Sequence, residues 1–146
     1  MATLLPAPDL FDRPQRLPCP DTEQILVWAI RRWHLHGAIS REIEAGFLAL
    51  CGIAEVECGL AAFDQLMAVL GRYGRRQMVI GGVRGAFSLD ERAILTLLAV
   101  HQHGLTDHTR ALLSWLVPLQ WSRSVSSNAE TLAGILARAG QILQEP

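Results

Sequence analysis

Three of the chain's five histidines crowd one stretch, His101-Gln-His103-Gly-Leu-Thr-Asp-His108. Three imidazoles beside Asp107 form a donor set for a transition metal, provided the ring nitrogens converge to about 2.1 Å from one point. Helix geometry opposes this, because residues two apart project about 200° from each other. His101 and His103 meet only where the helix unwinds, near Gly104. The competing expectation places both in a last helical turn, where cations complement the helix dipole. His34 and His36, just before Gly37, read the same way.

The arginines form a second candidate site. From Glu42 to Asp64 the charged residues are Glu42, Glu44, Glu55, Glu57 and Asp64, all negative. From Arg72 to Arg92 they are Arg72, Arg75, Arg76, Arg84 and Arg92 against Asp90 and Glu91. Arg72, Arg75, Arg76 and Arg84 lie in or beside glycine-rich backbone, Gly71-Arg-Tyr-Gly74 and Gly81-Gly-Val-Arg-Gly85. Planar guanidinium groups there suit bidentate binding of a phosphate or carboxylate. The alternative is structural: these arginines pair with the acidic segment of the same molecule or of a twin. Neither glycine stretch follows a buried strand, so neither reads as a dinucleotide loop.

Other chemistry is missing from the pattern. Cys51 and Cys58 are separated by Gly52 and match no redox or zinc spacing, which predicts small buried cysteines in a helical core. Gly-x-Ser-x-Gly, a phosphate loop and His-Glu-x-x-His are all absent, so no catalytic constellation stands in the sequence and no cofactor is expected. Ala49 to Phe63 has the rhythm of a helix-turn-helix. Its second helix, however, opens on Glu55 and Glu57 and would present carboxylates to a polyanion. With a sequence pI near 6.5, these features argue against nucleic acid as a partner.

The elements that must position these residues read as helices throughout. Asp21 with Gln24 resembles a capping box before the stripe Ile25, Ala29, Trp33. Ser40 caps a second helix that ends at Gly52, and a third runs from about Glu55 to Tyr73. Gln77 to Val83 is an ordered loop. Ser88 with Glu91 is the strongest capping box and opens a fourth helix reaching about His103. Thr106 caps a fifth, up to Val117, which Pro118 ends. The polar run Ser122 to Asn128 separates it from a last helix that starts at the Ser127–Glu130 box. Six helices without a strand pair predict an all-α domain over residues 21–146. Before it, residues 1–20 hold Pro6, Pro8, Pro14, Pro18 and Pro20 and read as an extended proline-rich arm, strapped over its own domain or exchanged between subunits.

Composition bounds the setting. The 146 residues are 50% hydrophobic and only 18% charged, enough for a self-sufficient core. Every basic residue is arginine and no lysine occurs, a bias expected of a GC-rich bacterial genome. Sparse cysteines, the lack of a basic leader, and apolar runs too short to span a bilayer suggest a cytoplasmic protein. The apolar surplus concentrates at Ala111 to Trp121, where Trp115, Leu119 and Trp121 surround a proline. Tryptophan is enriched at interface hot spots. The small residues Ala129, Ala133, Ala137 and Gly140 likewise suit close helix approach. The expected role is that of an interaction or regulatory protein acting as a homodimer. The alternative is a module binding an anionic ligand or a metal through the Arg72–Arg84 loop and the histidine cluster.

Overall fold

Two of the helices in the described residues open on a serine whose side chain takes up a free N–H of the first turn. The computed structural model describes residues 20–82 and 85–146, so the arm before Pro20 and Arg84 in the loop lie outside the described residues. Among the described residues the chain is all-helical, with six helices and no strand. They are α1 (Pro20–His36), α2 (Arg41–Cys51), α3 (Val56–Tyr73), α4 (Leu89–Gln102), α5 (Thr106–Leu116) and α6 (Leu119–Arg138). Pro20 itself opens α1, a position where proline lacks only an N–H that would be orphaned anyway. Ser40 caps α2 by accepting from the Ile43 N–H. Gly52 stops that helix at φ 82°, a left-handed conformation that glycine adopts without strain.

The core is built around α6, which packs most extensively on α3 and α4 and also touches α2 and α5. Its buried face is Val125, Ala129, Leu132, Ala133, Ile135 and Leu136. Ala129 and Ala133 are therefore core residues that let α6 approach its neighbours closely, and not a second, outward face. Phe47 of α2 and Phe63 of α3 pack with ring centroids 4.9 Å apart. A Cβ on Gly59 would come within 2.9 Å of the Cys51 sulfur, so glycine sets how closely α3 can pass α2 there.

Three sequence expectations need correction. The last helix does not start at Ser127. It begins at Leu119, directly after Pro118, and runs unbroken through the polar stretch. Only one of the paired cysteines is in the core: Cys51 is buried, whereas Cys58 is exposed. Burial pushes the Cys51 thiol up to about 11, with Glu55 adding to the effect. Thr106 is not the cap of α5 but its first residue; Leu105 takes the capping position, without a side-chain bond.

The N-terminus of α4 organises the remaining chain. Ser88 and Glu91 form the expected capping box, each side chain bonded to the other's backbone N–H. Glu91 does more than cap. Its carboxylate also accepts from Arg31 of α1 at 2.8 and 3.0 Å and from the Gly81 N–H at 2.9 Å. Asp90 accepts from the Val79 N–H at 2.7 Å and from Arg76 at 2.6 Å, while the Ser88 hydroxyl donates to the Val79 carbonyl. Through these bonds α4 holds the segment from Arg76 to Gly81, which lacks regular structure of its own.

Burial alone would raise the Glu91 pKa, but Arg31 and the Ser88 and Gly81 N–H groups outweigh it and hold the carboxyl below its ordinary value. A carboxyl depressed on folding stabilises the protein fully above its unfolded pKa, near 4.3, and loses that contribution as pH falls through the lower folded pKa. The melting temperature is therefore expected to drop on acidification below about pH 4.3. Glu91→Gln should lower it at neutral pH and flatten part of that acid limb in a differential-scanning pH series. An unchanged neutral melting temperature would contradict the role given to Glu91.

Candidate functional site

The histidine cluster does not assemble. Its helix ends at Gln102, and the chain turns at Gly104 with φ 70°, so the three rings take separate directions. Nε2–H of His103 donates to the Leu143 carbonyl at 2.7 Å. Gln102 between them donates to the carbonyls of Ala133 and Gln141 and accepts from the Leu143 N–H. Gln102 and His103 thus tie down the tail after α6, whose Leu143 is fully buried. Thr22 of α1 completes the attachment by donating to Gln141. His108 lies exposed in the first turn of α5. Among the described residues no group of three or more His, Cys, Asp or Glu is placed to hold a metal ion.

His101 faces another way, towards α6. Its Nε2 is 3.4 Å from the Ser126 hydroxyl. Burial lowers its pKa, and Glu130, one turn beyond Ser126, pulls partly in the opposite direction. A serine, a histidine and a carboxylate in one place invite comparison with an acyl-transfer site. Ser126 sits inside α6, however, where backbone N–H groups are already used by the helix, so none is available to stabilise an oxyanion. This arrangement can hydrogen-bond a ligand.

The arginines and tryptophans, expected as two separate features, come together at the corner where α5 gives way to α6. The Arg75 N–H donates to the Leu116 carbonyl at 3.0 Å, and its Nε to the Ser114 carbonyl at 2.6 Å. Arg76 lies over the Trp115 ring, 3.7 Å from the centroid, while its Nη2 bonds Asp90. Tyr73 stacks on Trp121 at 3.7 Å with an interplanar angle of 12°, and the Arg72 guanidinium lies 5.9 Å from the Tyr73 ring. Trp121 is therefore half-buried support, whereas Trp115 is 41% and Leu119 87% exposed. Among the described residues the arginine segment does not pair with the acidic segment of the same molecule. Arg76 pairs with Asp90, Glu55 pairs with Arg138 of α6 at 2.7 Å, and Asp64 accepts from Trp33.

Beside this corner, α4, α5 and α6 enclose a groove of about 620 Å³. Arg75 and Arg110 line it together with His101 and Ser126, over an apolar wall of Leu113 and Val117. Arg75 and His101, drawn from two different sequence candidates, thus share one cavity. Arg110, Ser126 and Glu130 were missed as site residues because each is an ordinary helix-surface type with no local motif; only the packing of α5 on α6 brings them together.

No protein family, curated protein or solved structure gives a significant match to this chain. Among the described residues no helix is long and apolar enough to cross a membrane.

The His101 imidazole is expected to titrate below its ordinary value of about 6.5, and Glu130→Gln should move it lower still by removing the neighbouring negative charge. A proton NMR titration of the ring resonances reads both. An upward shift in the variant would contradict the proximity of Glu130 to His101.

Proposed function

We propose that this protein is a non-catalytic interaction module that acts as a homodimer, with the Trp115–Leu119 corner as its docking face. The observation that carries the reading is the composition and exposure of that corner. Leu119 stands almost fully in solvent, and in sequence it falls between the Arg-stacked Trp115 and the Tyr73-stacked Trp121. Tryptophan, tyrosine and arginine are the residue types that dominate interface hot spots. Trp115 and Trp121 are already braced by Arg76 and Tyr73, so little side-chain freedom is lost when the face is covered. Two-fold pairing is the commonest soluble assembly and buries roughly 800 Å² per partner. It would place Leu119 and Trp115 of both copies at the centre and leave Arg72 at the rim. Arg76 is neutralised by Asp90, which removes one like-charge contact across the axis. A cytoplasmic setting goes with this reading, since among the described residues Cys51 and Cys58 form no disulfide.

Sedimentation equilibrium should give about twice the 16.1 kDa chain mass. Leu119→Asp should shift the protein to monomer with its helical circular-dichroism signal intact, because Leu119 contributes little to the core. Trp115→Ala should weaken association by at least about 2 kcal/mol. Rim arginines repel one another, so the dimer should tighten as salt is raised. A wild-type monomer at high micromolar concentration would end the proposal.

A further inference from the structure

The geometry points to the groove between α5 and α6 as a binding site for a small monocarboxylate with a short apolar body. This inference does not rest on the dimer, because every lining residue belongs to one copy, although Leu119 at the groove also belongs to the proposed docking face. A cavity of about 620 Å³ lies within the range of small-molecule sites, which pair apolar walls with a few converging polar groups. Here Leu113 and Val117 supply the wall, and Arg75 and Arg110 supply the charge. Among the described residues neither arginine has a carboxylate partner; the ion pairs there are Arg31–Glu91, Arg76–Asp90 and Arg138–Glu55. Arg75 is also pre-positioned. Its Nε is committed to the Ser114 carbonyl, which fixes the guanidinium plane and leaves its Nη groups for a ligand. His101 and Ser126 add uncharged hydrogen-bonding groups to the lining.

The charge balance chooses the head group. Glu130 also lines the groove, so two guanidinium groups face one carboxylate while His101 is neutral. The surplus of one positive charge matches a singly charged carboxylate. A phosphomonoester, near −2 at neutral pH, would leave the groove with a negative excess inside a partly desolvated space.

The test is a titration of isotope-labelled protein with hexanoate, hexanamide and phenyl phosphate at pH 8, followed by amide and His101 ring shifts. Hexanoate should produce saturable shifts confined to residues 109–130 and His101, with half-saturation in roughly the millimolar range expected of so small a ligand. Hexanamide should not bind, and phenyl phosphate should bind more weakly than hexanoate. Arg110→Gln, on the exposed side of α5, should weaken hexanoate by about tenfold or more while leaving the helical circular-dichroism signal intact. The proposal is overturned if hexanoate gives no saturable shifts, if hexanamide matches it, if phenyl phosphate binds more tightly, or if Arg110→Gln binds as wild type does.

Discussion

The buried carboxylate of Glu91 is the constraint on which the rest of the arrangement turns. Placing a charge in the core is costly unless every lone pair is used. Glu91 meets that demand with a guanidinium from α1, a backbone N–H from the loop and the N–H of Ser88 in its own cap. Three segments distant in sequence are thereby fixed at one point. Asp90, its neighbour, extends the same logic outwards through Val79 and Arg76. Arg76 in turn rests on Trp115 of α5. A chain of charge-assisted bonds therefore runs from the core to the exposed corner, and the corner's side chains are held by it.

Much of the fold was legible because helix ends announce themselves locally. Ser40 and the Ser88–Glu91 box cap the helices they were expected to cap, since capping depends on residues three apart in sequence. The start of α6 was not legible. Ser122 to Asn128 looks like a loop by composition, but Ser122 and Asn128 turn their side chains back onto the carbonyls of Leu119 and Ser124. Polar residues that bond their own helix in this way are tolerated in its interior. Val125 and Ala129 meanwhile keep the buried stripe continuous across the polar run. Tertiary burial outweighed local composition.

The candidate site was legible only in fragments. Sequence spacing grouped His101 with His103, yet the fold separates them. His103 holds the tail and His101 faces the groove; Arg75 and Arg76 both reach α5, and Arg76 also bonds Asp90. Neighbours in sequence on or after a helix end point in different directions, so adjacency misled where packing decided. The partner of His101 is Ser126, and the partners of Arg75 are carbonyls of α5. Neither relation leaves a trace in a local motif. Gln102, which makes three bonds to α6 and the tail, carries no functional signature at all.

Charge segregation along the chain survives folding in part because three carboxylates of the acidic segment, Glu42, Glu55 and Asp64, find partners elsewhere. Glu42 is held below its ordinary value mainly by backbone and Ser40 hydrogen bonds at the start of α2. Glu55 reaches Arg138, and Asp64 takes the indole N–H of Trp33. None of them reaches Arg72, Arg75 or Arg110. The positive charge around the α5–α6 corner is therefore left facing outwards, and it borders the most exposed leucine on that side. Such a field attracts anions before contact and repels a like copy at the rim. Apolar burial at Leu119 must exceed that repulsion for two copies to pair, whereas a small carboxylate entering the groove is favoured by both terms.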